Sequence, residues 1–347
     1  MILTETFQVE KDFESFNLFL KIFRTPTVDN CQIINYQLSI INSIVCTFFE
    51  GHYHKGVAVL VNSLSVSGYE GVIWVGYKGE LPHWATGLKT ENEVEIMRVT
   101  DRLFLHFLKF PSDAFLPFCK PSFLLNLLDK YQPSGEQIFY FDCDIVIKCP
   151  FSYFEKWVSY GVALCEDMNS PLSPTHPLRY QWVEYFKKYN IVVRQTDNQY
   201  VNGGFIALKR SKKGFLELWE NVQNAMLDDV KEVKTVGLKD RTYLFNRTDQ
   251  DALNVAKDAT TETLSIADGD AMDFRGFGYI MSHAAGPRKP WENNWLMHVL
   301  KNGQSPAMTD RLFLQHTQYP LSIYSKKQLF LKKMHLKIAV ALARILT

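Results

Sequence analysis

The sequence contains no run of about 18 uncharged apolar residues, so no segment of it reads as a membrane-spanning helix. Its first residues, MILTETFQVEKDF, lack a basic start followed by an apolar stretch, which argues against a secretory signal. Net charge is also nearly absent, at +1 from 38 basic and 37 acidic residues, so nothing global points to a nucleic-acid partner. The six cysteines form no CxxC pair and fall in or beside apolar runs, as reduced and mostly buried thiols of a cytoplasmic protein would. Repeats, low-complexity tracts and linkers are missing between residues 36 and 320.

Hydrophobic residues make up 46% of the 347, enough for a sizeable core. SIVCTFF reads as a strand, HKGVAVLVNSLSVSG as a helix with Val57, Leu60, Val61 and Leu64 on one face, and GVIWVGY as a buried strand. This βαβ unit predicts an α/β fold, with a mainly parallel Rossmann-like sheet and helices on both faces. A helix is expected over Pro121–Tyr131, then a turn at Pro133-Ser134-Gly135 and a central strand, QIFYFDCDIVI. GVALCED and GGFIALKR read as further strands, and GFLELWENVQNAML as a helix. TDQDALNVA reads as a helix with Thr248 or Asp249 at its N-cap. SPLSPTHP is a proline-rich loop expected near the site and able to move.

Four motifs carry chemistry. Asp142 and Asp144 lie inside an apolar run, where two carboxylates are costly unless a positive group neutralises them. Two apart on a strand, they would project to one side and reach one hard cation, or else sit solvated at a strand end. HAAGPRKPW (283–291) joins a metal-capable His283 to Arg288 and Lys289 on a Gly-Pro turn, suited to phosphate oxygens or simply a solvated basic pair. DQDALN (249–254) presents Asp249 and Gln250 at a helix start, either to sugar hydroxyls or to the helix dipole. VNGGFIAL (201–208) has two glycines that admit a ligand close to the backbone, or permit a tight turn.

In this order on an α/β chain, the βαβ opening, YFDCDIVI, VNGGFIAL, DQDALN and HAAGPRKPW resemble the GT-A glycosyltransferases, specifically the retaining family-eight group, over residues 43–291. The resemblance implies that Asp142, Asp144 and His283 bind Mn²⁺ or Mg²⁺, with Asp142 also near the ribose. It implies that Gly286 and Lys289 contact the diphosphate, and that Asn202, Gly203, Asp249 and Gln250 surround the donor sugar. Thr47, Glu50 and Tyr53 are expected near the base and ribose of a nucleotide-sugar donor, a UDP-sugar in this family. An Arg that the family carries before the DxD strand is replaced by Lys120, which either substitutes for it or caps the helix start. The first strand reads CTFFEGHY where the family has small residues followed by an Asp.

Gln250 and Asp251 are the candidates for a covalent intermediate. The preferred reading is same-face attack, with Asp249 and Gln250 positioning the sugar. Two other classes remain open. One is a non-catalytic sugar- or lipid-binding module on the same scaffold. The other is a sugar-phosphate nucleotidyltransferase, which would open with a glycine-rich phosphate loop that CTFFEGHYHKG lacks.

The expected division is an N-terminal extension (1–35), a catalytic domain (36–320) and a basic tail (321–347). From Ser325 onward the chain has six basic residues and no acidic one. On a helical wheel Phe330, Leu331, Met334, Ile338, Leu342 and Ile345 form one face, with Lys326, Lys333, Lys337 and Arg344 beside it. Either the tail attaches to the inner face of the cytoplasmic membrane, with a lipid-linked glycan such as lipopolysaccharide as acceptor, or it docks on the domain and the acceptor is a protein or soluble sugar. Tyr180, Trp182 and Tyr185, in the loop from Asp167 to Asp197, are expected to shape the acceptor side.

Overall fold

The computed structural model describes residues 42–194, 196–227 and 243–346, so the 1–35 extension lies outside the described residues. In chain order the strands are β1 (Ser43–Glu50), β2 (Gly71–Lys78), β3 (Lys89–Glu91), β4 (Val94–Arg98), β5 (Leu103–Lys109), β6 (Gln137–Phe141), β7 (Ile145–Ile147), β8 (Val162–Cys165), β9 (Phe205–Lys209), β10 (Leu264–Ala267) and β11 (Met281–His283). The α-helices are α1 (His54–Val66), α2 (Lys120–Asn126), α3 (Phe151–Trp157), α4 (Pro177–Lys187), α5 (Gly214–Leu227), α6 (Thr248–Ala259), α7 (Trp295–Asn302), α8 (Met308–Gln315) and α9 (Lys326–Leu346).

The sheet runs β10-β8-β9-β6-β1-β2-β5-β4-β3. Its centre, β6-β1-β2-β5, is parallel, as the βαβ opening predicts. Strand β9 inserts antiparallel between β6 and β8. Seven of the eight residues of β1 and of β2 are buried, the pattern of parallel strands covered on both faces. Gly56, in the first turn of α1, has no side chain because a Cβ there would collide with the Cys143 carbonyl. That close approach seats α1 against the turn that carries the two aspartates.

Two expectations are corrected. QIFYFDCDIVI is not one strand: β6 ends at Phe141, Asp142-Cys143-Asp144 forms a turn, and β7 pairs with β11 in a separate two-stranded sheet. The Asp142 amide donates to the Gly204 carbonyl and the Ile145 amide to the Asp142 carbonyl, which bends the chain out of the main ladder. At the start of α6, Arg247 is the N-cap, ahead of Thr248 and Asp249. Its amide donates to Asp251 Oδ2 at 2.7 Å, so a carboxylate inside the first turn caps the helix backwards.

The chain past residue 320 packs into the body. Leu321, Ile323 and Tyr324 join the main hydrophobic cluster, and Asn62 bonds both the carbonyl and the amide of Leu321. Helix α9 lies against α7 and buries Leu329, Ala339 and Ala343. Among the described residues no helix is long and apolar enough to cross a membrane.

Candidate metal and sugar site

The centre of the site is the turn between β6 and β7, opposite the end of β11. His283 Nε2 stands 3.2 Å from Asp144 Oδ1 and 3.8 Å from Asp142 Oδ2. One ligand atom from each of the three residues falls within 4.8 Å of the others. Two carboxylates and an imidazole suit a hard divalent cation such as Mn²⁺ or Mg²⁺, so these side chains fit the implied metal. They meet because β11 pairs antiparallel with β7, with His283 opposite Ile145. A turn, rather than alternation along one strand, therefore aims both aspartates.

Lys289 Nζ donates to Asp144 Oδ2 at 2.5 Å and to the Ala284 carbonyl. Burial alone would raise the Asp144 carboxyl, but His283 and Lys289 outweigh it and hold it well below the usual carboxylate range. Burial likewise opposes charge on Lys289, yet Asp144 keeps its ammonium above the ordinary range. Tyr53 extends beneath Lys289, its ring centroid 5.7 Å from Nζ, and meets Trp291 edge-on.

On the other side Lys120 ties the aspartate turn to α6. Its Nζ donates to the Gly203 carbonyl at 2.8 Å and lies 3.2 Å from Asp249 Oδ2 and 3.3 Å from Asp142 Oδ1. Asp142 Oδ1 also accepts from the Tyr140 hydroxyl at 2.6 Å. An ammonium has three donors, and here all three face protein oxygens. Burial would lower the Lys120 ammonium, but Asp142 and Asp249 raise it.

Gln250 Oε1 accepts from the Gly203 amide at 3.1 Å and from Asn202 Nδ2 at 3.3 Å. Asn202 Nδ2 also donates to Asp167 Oδ2 at 2.7 Å. A Cβ on Gly204 would stand 2.5 Å from His283 Cε1, 2.8 Å from Asn202 Oδ1 and 3.0 Å from Asp142 Oδ2. Only glycine lets those three side chains converge.

The fold thus brings together Asp142, Asp144, His283, Lys289, Tyr53, Lys120, Asn202, Gly203, Asp249 and Gln250. The other expected residues have surroundings of their own. Asp251 is 1% exposed and holds the Tyr200 hydroxyl and the Arg247 amide. Thr47 is fully buried within β1, Glu50 is exposed and pairs with Lys78, and Gly286 is exposed on the turn before Lys289. Of the three aromatics expected on the acceptor side, Tyr180 is exposed. Trp182 is fully buried, and Tyr185 donates to the Ala225 carbonyl. Asp167 and Gly204 were missed as site residues. The signal for Asp167 was an acid ending the apolar strand GVALCED, and for Gly204 the second glycine of VNGGFIAL.

No protein-family model matches the chain, and neither does any curated protein. Among solved structures it is similar to the bifunctional glycosyltransferase WbbM, at 12% identity and TM-score 0.50, covering 89% of this chain and 53% of that one. An active-site mutant of LgtC aligns over 82% of this chain and 98% of that chain at 13% identity and TM-score 0.48. GlyE of Streptococcus pneumoniae TIGR4 aligns over 86% and 64% at 11% identity and TM-score 0.47. The likeness to WbbM, together with the sheet order above, defines the class: this is an α/β chain with the GT-A glycosyltransferase fold.

Proposed function

We propose that the protein is a metal-dependent glycosyltransferase that moves a hexose from a nucleotide-diphosphate sugar, a UDP-sugar by family resemblance, to a glycan acceptor with retention. The observation that carries this reading is the convergence of Asp142, Asp144 and His283 beside the linked group Lys120, Asp249, Asn202 and Gln250. The first set fits a cation, and the second offers acceptors and donors for sugar hydroxyls.

Bound at the three ligands, a divalent ion would supply charge neutralisation for a diphosphate. Lys289 would add a fixed cation where negative charge develops on the leaving phosphate. Asn202, Asp249 and Gln250 would orient the sugar. The acceptor oxygen bonds to the anomeric carbon as the bond to the diphosphate breaks, and the acceptor proton passes to the departing phosphate oxygen. Asp251 has no role in that step, because both of its oxygens are spent on Tyr200 and the Arg247 amide.

A membrane-borne glycan such as a lipopolysaccharide is the favoured acceptor. Docking of α9 leaves Phe330, Leu331, Met334, Ile338 and Ile345 exposed, and Lys326, Lys327, Lys333, Lys337 and Arg344 are exposed with them. A helix face of that composition suits an anionic lipid surface.

Thermal unfolding with UDP, GDP, CMP and dTDP sugars, with and without Mn²⁺, tests the central claim. At about 100 times Kd one donor is expected to raise Tm by roughly 5 °C, only with metal and not in Asp144→Ala. No shift with any nucleotide would move the reading to a sugar-binding module on this scaffold.

A further inference from the structure

Arg247 stands immediately before α6, one helical turn ahead of Gln250, and its side chain is partly exposed. Its Nη2 donates to Asn169 Oδ1 at 3.0 Å, and its guanidinium lies 5.9 Å from the Tyr200 ring centroid. Arg179, Arg210 and Arg275 each pair with a carboxylate, whereas among the described residues none pairs with the Arg247 guanidinium. A guanidinium offers five N–H donors in a planar fork, and a neutral amide oxygen uses one of them here.

Hydrogen bonds tie this group to the sugar side of the site. Asn169 donates through its amide and its side chain to Asp167 Oδ1, while Asp167 Oδ2 holds Asn202, which holds Gln250. Asn169, Asp167 and Asn202 therefore form a continuous hydrogen-bonded chain from Arg247 to Gln250. Lys289 already faces Asp144, and Lys120 faces Asp142 and Asp249. Those two lysines are thus engaged and Arg288 faces His298, whereas the open Arg247 fork is linked through Asn169, Asp167 and Asn202 to the residues implied to hold the donor sugar. Arg275 holds the segment that carries Asp167 and Asn169, donating to Glu166 and to the Ser170 carbonyl, so of the two arginines on that segment Arg247 has the open fork.

We propose that Arg247 is a specificity residue for the acceptor and selects a sugar bearing an oxyanion, a carboxylate or a phosphate. This rests on the glycosyltransferase reading. The planar fork matches either oxyanion through two parallel hydrogen bonds, which a neutral hydroxyl cannot provide.

The test is calorimetric titration of the full chain, saturated with Mn²⁺ and UDP, with glucose, glucuronate and glucose 6-phosphate. Saturating UDP keeps the anions out of the diphosphate position. At least one anion is expected to bind about tenfold or more tightly than glucose, and Arg247→Gln to lose that preference. Arg247→Lys, which keeps the charge without the fork, is expected to fall between them. Which anion binds identifies the acceptor substituent. Equal binding of glucose and both anions, or a preference retained in Arg247→Gln, overturns the inference. Failure of UDP itself to bind overturns the glycosyltransferase reading, and this inference with it.

Discussion

The Lys120 ammonium stands 3.2 Å from the Asp249 carboxylate, with both residues buried. This pair joins the start of α2 to the start of α6, two segments 129 residues apart. Lys120 is the first residue of α2, and its donors are spent on Gly203, Asp249 and Asp142 rather than on a helix cap. Removing it leaves the buried Asp249 carboxylate without its cation and takes one partner from the part-exposed Asp142, which keeps the Tyr140 hydroxyl. Lys120→Met is expected to destabilise the protein by about 3 kcal/mol in chemical denaturation, and Lys120→Arg by clearly less. Equal stability of Lys120→Met and the parent would show that the tie contributes nothing.

Gly204→Ala isolates the metal site from the fold. The backbone there needs no left-handed conformation, so the added methyl acts through its collision with His283, Asn202 and Asp142. A folded variant is expected, with the Mn²⁺-dependent thermal shift reduced about tenfold or more in apparent affinity, as for a lost ligand position. An unchanged Mn²⁺ titration would remove Gly204 from the account.

Asp251 imposes a pH dependence on stability. Burial pushes its carboxyl up to about 7 despite the hydrogen bonds from Tyr200 and the Arg247 amide. In the unfolded chain an aspartate titrates near ~4, so between these values the folded state holds a proton that the unfolded state has released. The associated stability is complete below the lower value and lost as pH rises through about 7. Asp251→Asn lacks this proton. Relative to the parent it should gain on the order of 2 kcal/mol between about pH 5 and about pH 8, read from paired melting curves. A constant difference across that range would sink the assignment.

Met334 and Ile338 project away from the face of α9 that docks on α7. Replacing both with Ser should leave Tm within about 1 °C, because exposed side chains contribute little to folding. Sedimentation with vesicles of mixed phosphatidylglycerol and phosphatidylethanolamine should fall about tenfold, and binding by the parent should weaken with salt. Unaltered sedimentation of the double variant would assign α9 a purely structural role. Ending the chain at Tyr324 is a poorer test, since it also removes Leu329, Ala339 and Ala343 from the packing.

Much of the site was legible because each motif carries a local chemical cost. Two aspartates in an apolar run, two adjacent glycines before a strand and a lysine on a Gly-Pro turn all ask for a partner, whatever the fold. The central sheet was legible for a similar reason, since apolar residues on both faces of β1 and β2 demand cover on both sides. Residues whose meaning depends on distant groups were not legible. Nothing near Asp251 in the sequence says that its oxygens meet Tyr200, and nothing near Lys120 says that its ammonium reaches Asp249.

The tail illustrates the same division. Its periodicity marked an amphipathic helix, but which apolar residues face the domain depends on the groove offered by α7, and that groove took Leu329, Ala339 and Ala343. The sequence by itself determined residue types, the periods of its helices and strands, and the order of its chemical motifs. Only the tertiary structure decided that Asp142 and Asp144 stand on a turn, that β11 brings His283 to them, and that Lys120 and Arg247 take their separate partners. Backbone preferences act over a few residues, whereas contacts that aim charged side chains are made between segments more than a hundred residues apart and exist only once the sheet has closed.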